Sequence, residues 1–166
     1  MKSYQLELKW AGIFVGMTLL WMLGEKLAGL HSTYIEHHPT YSNLIAIPAI
    51  TIYVLALLEK RRVSYGGSMT WLQGFISGMI ITGMVTVVCP LTQIITSQVI
   101  SPAYFPNVIR YTVEHQMMSQ EAAEQYFSLP SYIVQSTIGT AIIGTVTAAL
   151  VALFTQRKAA VSPGVS

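Results

Sequence analysis

Residues 70–96 read TWLQGFISGMIITGMVTVVCPLTQIIT, 27 residues without an acidic or basic side chain. At a rise of 1.5 Å per residue a helix of this length is about 40 Å long, enough to cross a hydrocarbon layer of about 30 Å with tilt. Uncharged text of similar length recurs on both sides of it. Toward the N-terminus, Trp10 to Gly24 carries no charge and, after Glu25-Lys26, continues as Leu27-Ala28-Gly29-Leu30, which predicts a span over about 10–30. Residues 41–58 form a slightly short second span containing Pro48, and it stops at Glu59-Lys60-Arg61-Arg62. Toward the C-terminus, residues 132–156 complete the set. The sequence thus predicts an all-α integral membrane bundle of four transmembrane helices in a single domain over 1–158, with a disordered tail over 159–166.

Composition supports this reading. Of 166 residues, 52% are hydrophobic and 10% charged, against about 25% charged in an ordinary soluble domain. One uncharged stretch fits a buried core helix of a soluble protein; four, occupying more than half of the chain, argue against it. The seven acidic residues are all Glu, and the net charge of +2 is too small and too scattered for a nucleic-acid surface. Cys89, alone of its kind, rules out an internal disulfide framework and any multi-Cys metal centre.

Basic residues set the expected direction. Lys2 and Lys9 precede the first span, Lys60, Arg61 and Arg62 follow the second, and Arg157 and Lys158 follow the fourth, all on one side of a four-pass layout. The opposite side holds Arg110 and the boundary residue Lys26. The positive-inside rule then places both termini and the 59–69 loop in the cytoplasm, with Lys60, Arg61 and Arg62 at anionic lipid headgroups. Because no small-x-small site follows Glu25-Lys26, the first span is read as retained rather than as a cleaved signal peptide.

The first outer loop, 31–40, is short and polar, whereas the second, 97–131, has structure of its own. Tyr104, Phe105, Val108, Ile109, Tyr111, Thr112, His115 and Met118 recur at helical spacing. Ser119 reads as the cap of a further helical piece carrying Tyr126 and Phe127, and Pro130 ends the pattern. An outer amphipathic segment over about 104–128 is expected, lying on the interface or closing over the bundle mouth. On the other side, Ser68 or Thr70 is the expected cap of the third span, and Pro90 predicts a kink that frees the carbonyl of Thr86.

In lipid the hydrophobic effect does little between helices, so small residues must let backbones approach. The candidates are Gly12 and Gly16 in span one, Gly74 and Gly78 in span three, and a four-spaced ridge of Ser136, Thr140, Gly144 and Ala148 in span four. That ridge is expected to pack on span one or three or on a second subunit. A wet path is the alternative, lined by Gln135, Ser136, Thr137, Thr140, Thr145 and Thr147 facing Gln73, Ser77, Thr82, Thr86, Thr92, Gln93 and Thr96. Thr hydroxyls can bond their own backbone carbonyls, so packing is the simpler account.

Glu25 is the acidic residue closest to the hydrocarbon layer, about 22 Å up span one from Trp10. It is read either as a headgroup-level residue beside Lys26 or as a proton relay. His31, His37 and His38 share one outer loop with Glu36, and His115 stands beside Glu114 in the other. Imidazoles from both loops invite a metal, but their spacing fits no closed zinc pattern, so the sequence reading assigns no metal and no cofactor and leaves these residues solvated or at headgroups. Cys89 has no neighbouring base, and hydrolase, phosphate-loop and dinucleotide fingerprints are absent, so no catalytic residue and no enzymatic activity are expected.

Tyr65-Gly66-Gly67-Ser68-Met69-Thr70 leading through Gly74-Phe75, then Ser101-Pro102-Ala103-Tyr104 and Met118-Ser119-Gln120-Glu121-Ala122, resemble an uncharacterised bacterial membrane family. It is the domain-of-unknown-function family 4199, found mainly in Bacteroidota. The resemblance implies a four-span protein of the bacterial inner membrane and offers no catalytic residue to carry over. With membrane lipids as surroundings, the leading expectation is an accessory or scaffold subunit that assembles with itself or another membrane protein through its small-residue faces. The alternative is a small-solute or ion transporter using the Thr/Gln faces and Glu25, and a membrane enzyme comes third.

Overall fold

The computed structural model describes residues 4–157, so the tail expected over 159–166 lies outside the described residues, as do Lys2 and Lys158. Within them the chain is all-α. Helix α1 is Gln5–Leu27, α2 is His38–Ser42, α3 is Ala46–Ser64, α4 is Trp71–Ile95, α5 is Tyr104–Glu114, α6 is Gln120–Tyr126 and α7 is Leu129–Thr155. Four segments are long and apolar enough to cross a membrane: Gln5–Leu27, Ile35–Ser64, Trp71–Ile100 and Leu129–Thr155. Leu20, Val87, Ile143 and Phe154 point outward from them, as lipid-facing side chains should. Both described ends of the chain come to one end of the bundle, where Met69 and Arg157 pair through backbone hydrogen bonds of 2.9 and 2.8 Å. We call this the terminal end and the opposite one the distal end.

Local chemistry explains where the helices begin. Thr70 caps α4 in a reciprocal box: the Gln73 backbone N–H donates to Thr70 Oγ1 at 3.3 Å and the Thr70 N–H donates to Gln73 Oε1 at 2.9 Å. Ser119 caps α6 through the Ala122 N–H, as expected. Two prolines sit close to helix starts. Pro48 lies inside the second span, Ile35–Ser64, in the first turn of α3, just after a short 3-10 turn over Asn43–Ile45. Pro130 belongs to the first turn of α7 rather than to the loop before it. Helix α4 runs through Pro90 and then widens into a π turn over Thr96–Ile100.

The bundle is built around α4, and its tightest seam is with α7. A Cβ on Gly78 would lie 2.6 Å from Ala148 Cβ, and one on Gly144 would lie 2.6 Å from Thr82 Cγ2. The ridge of span four therefore packs on span three of the same chain, one of the arrangements its spacing predicts. Tyr53, Leu57, Ile81, Ala148 and Ala152 form the buried centre beside this seam. Gly12 and Gly16, by contrast, have no atom within 4 Å of an added Cβ.

Gly78→Ala should destabilise the fold by about 1–3 kcal/mol, because the new methyl overpacks a seam that cannot widen locally. Gly12→Ala should leave stability unchanged or raise it. Reversible unfolding of the two variants in mixed micelles, set against the parent chain, reads the difference.

Candidate functional site at the distal end

The last turn of α1 carries Trp21 and Glu25 on one face, four residues apart. Beyond Leu27 the chain cannot continue outward, because Gly29 adopts φ 78° and turns it back over the bundle mouth. This reversal buries His31 and delivers His38, the first residue of α2, to the same place. Glu25 is 4% exposed and His31 3%. Glu25 Oε1 accepts a 2.6 Å hydrogen bond from Trp21 Nε1. Its other oxygen, Oε2, lies 3.3 Å from His31 Nε2 and 3.4 Å from His38 Nε2. The second of these has no hydrogen-bond geometry, and His38 Nε2 and His31 Nδ1 are both buried without a partner.

Helix α5 closes the cluster from above. The Tyr104 ring packs on both imidazoles at 5.1 Å between centroids, and its hydroxyl meets that of Tyr132 at 3.1 Å. Burial pushes the Tyr104 hydroxyl far above the ordinary tyrosine range, so it stays neutral. Asn107 Nδ2 donates to the His31 carbonyl at 3.0 Å, tying α5 to the reversed loop. The outer amphipathic segment is thus a cover over the bundle mouth, built from two helices.

Glu25 stands between two spaces. On its lipid-facing side is an apolar groove of about 740 Å³ lined by Ile13, Met17, Leu20, Tyr41 and Leu44. On the inner side, His31 and His38 face a cavity of about 170 Å³ that also touches Gln93, Thr96 and Tyr104. Gln93 lines a further cavity of about 320 Å³ as well, formed by all four spans, whose polar lining includes Tyr53, Thr92, Ser136 and Thr140. None of the side chains lining this larger cavity is charged.

Several residues stand elsewhere than the sequence reading put them. Glu25 and His31 are buried in the protein and His38 is half-buried beside them, rather than solvated, because the turn at Gly29 folds the loop inward. His37 is exposed and lies 3.3 Å from exposed Glu36, and His115 and Glu114 are exposed at the far end of α5. Of the wet-path residues, Ser136, Thr140, Thr147, Thr92 and Gln93 do line the larger cavity. Others are used differently: Gln73 caps a helix, and Thr145 bonds the Ala141 carbonyl.

A family profile described as Protein of unknown function (DUF4199) matches residues 9–157. No curated protein shows significant similarity to the chain, and no solved structure does.

A second polar cluster, at the terminal end, was missed in the sequence. Glu7 is 1% exposed, with Oε1 2.8 Å from Lys60 Nζ and accepting from Ser77 Oγ at 2.6 Å. Its signal was the stripe Glu7, Ala11, Phe14, Thr18, which places a carboxylate on the packed face of α1. Lys60 is accordingly turned inward rather than to headgroups, and Arg61 Nη1 donates to the Thr155 carbonyl at 2.7 Å, while Arg62 is exposed. Lys60→Met should cost about 3–5 kcal/mol, since it leaves a buried carboxylate without its counter-charge. Adding Glu7→Gln should restore most of that loss in the same unfolding measurement.

Proposed function

The chain belongs to the DUF4199 family of membrane proteins, and from that premise we propose that it is a non-enzymatic transporter of a small polar solute. The observation that carries this reading is the cavity of about 320 Å³ lined by all four spans. Its wall is mostly apolar with a few hydroxyl, amide and thiol groups set into it, the arrangement of a site for a small neutral molecule that needs a few hydrogen bonds. Gln93 joins it to the distal cavity beside Glu25. Charge asymmetry favours an orientation in the bacterial inner membrane with the terminal end in the cytoplasm. In proteoliposomes, glycerol or urea entry followed by light scattering should exceed that of empty vesicles. Gly139→Leu, which projects into the cavity from a position with open space at Cβ, should abolish the excess, and Gly83→Leu, on an exposed face, should not. Entry no faster than in empty vesicles for these and other small neutral solutes, or indifference to Gly139→Leu, would overturn the reading.

The accessory or scaffold reading retains one specific support. The ridge of α7 is occupied within the chain, but Gly12 and Gly16 form a bare notch on α1. A self-association through this notch follows the small-xxx-small pattern. Native mass spectrometry should then show an oligomer that Gly12→Leu/Gly16→Leu converts to monomer; an unchanged oligomer would remove α1 as the interface.

A further inference from the structure

We propose that Glu25, His31 and His38 form a binding site for a tetrahedrally coordinated divalent transition-metal ion of the zinc class. This rests on the geometry of the three side chains and not on transport. Their ligand atoms lie within 4.8 Å of one another. The distances separate two interpretations of the cluster. A charge-assisted hydrogen bond to a carboxylate is about 2.7–2.9 Å long, and Glu25 shows that it can make a short one, at 2.6 Å to Trp21. The two imidazole contacts of the same carboxylate are 3.3 and 3.4 Å. The first keeps hydrogen-bond geometry and the second does not, and both match the edge of a tetrahedron, about 3.3 Å for metal–ligand bonds of about 2.0–2.1 Å.

Unmet hydrogen-bonding capacity points the same way. Buried polar atoms in a native structure almost always have partners, and an exception calls for an explanation, a bound ion among them. His38 Nε2, which faces Glu25 Oε2, has none. An ion between Glu25 Oε2, His31 Nε2 and His38 Nε2 would use the orphaned nitrogen of His38 and both imidazole contacts at once. One carboxylate and two neutral imidazoles suit zinc and its neighbours in the first transition row better than the hard ions calcium and magnesium.

The surroundings are those of a supported site. Trp21 holds the non-ligating carboxylate oxygen, Asn107 holds the backbone of His31, and the Tyr104 ring packs against both imidazoles. Three protein ligands beside a cavity of about 170 Å³ leave room for water or an incoming anion as the fourth. The site would lock the reversed loop to α1 and so hold the cover in place.

The test uses the full chain in detergent, purified without a polyhistidine tag, stripped with chelator and titrated with zinc or cobalt(II). One ion per chain is expected, with visible cobalt absorption of tetrahedral intensity and a zinc-dependent rise in melting temperature. Glu25→Gln and His38→Ala should each weaken binding by more than about tenfold, whereas His37→Ala and His115→Ala should bind as the parent does. No stoichiometric uptake by the parent chain, or uptake that survives both Glu25→Gln and His38→Ala, would overturn the site. If either variant loses its monodisperse fold, X-ray absorption of the zinc-loaded parent decides instead. Two imidazoles and a carboxylate oxygen around the metal support the assignment, and any other donor set refutes it.

Discussion

The near-contact of two backbones, α4 at Gly78 against α7 at Ala148, is the constraint on which the other packing relations depend. Lipid tails are as apolar as leucine, so these helices gain little by leaving them and are held by van der Waals contact over a close seam. With that seam closed, Thr82 comes up to Gly144, donates to the Gly78 carbonyl and accepts a 2.7 Å hydrogen bond from the Tyr53 hydroxyl, which fixes α3 against the pair. Helix α1 then completes the bundle with Ala11 in the core. The cavity between the four spans begins at this same place, since Gly144 of the seam and Tyr53 both stand on its wall. Packing and cavity therefore share residues.

The bundle's two ends solve the burial of a carboxylate in different ways. Glu7 meets a full counter-charge, Lys60, and a hydroxyl, each from a different helix. That arrangement ties three helices together, since removing either partner leaves a buried polar group unmet. Glu25 meets an indole and two imidazoles, groups that donate without carrying an obligatory charge, and two nitrogens there remain unpaired. Glu7 Oε2 is likewise buried without a partner, so what sets the distal cluster apart is the convergence of one carboxylate and two imidazoles on one point.

The fold was largely legible because charge is excluded from lipid: uncharged lengths reveal spans, and a hydroxyl followed three residues on by Gln reveals the start of α4. Where reading fell short, the cause was a single torsion or a helix rotation. Glu25, His31 and His38 were each visible as candidates, but their meeting depends on Gly29 taking a positive φ, and one glycine in a polar loop does not announce a reversal. His37, identical in type and adjacent in sequence, points away. Glu7 lay in a stretch where neighbouring Lys9 suggested a solvated helix start, and only its four-spaced relation to Ala11 distinguishes it. Tyr104 was recognised as amphipathic, but its place over the histidines comes from tertiary folding of α5 across the mouth.

The reversal at Gly29 also has a bearing on biogenesis. Glu25, His31 and His38 fall within fourteen consecutive residues, so bringing them together closes only a short loop and costs little chain entropy. They leave the ribosome together, ahead of the Tyr104 ring and the Asn107 amide that cover them in the folded chain. The terminal cluster is completed in two stages, because the Glu7–Lys60 pair also lies within the first hairpin whereas the Ser77 hydroxyl arrives only with the third span. Vectorial synthesis from the N-terminus therefore imposes a temporal order within each of the two clusters. In both, a carboxylate meets its first partners within the hairpin of spans one and two, and a residue from later in the chain, Ser77 at one end and Tyr104 at the other, completes the cluster.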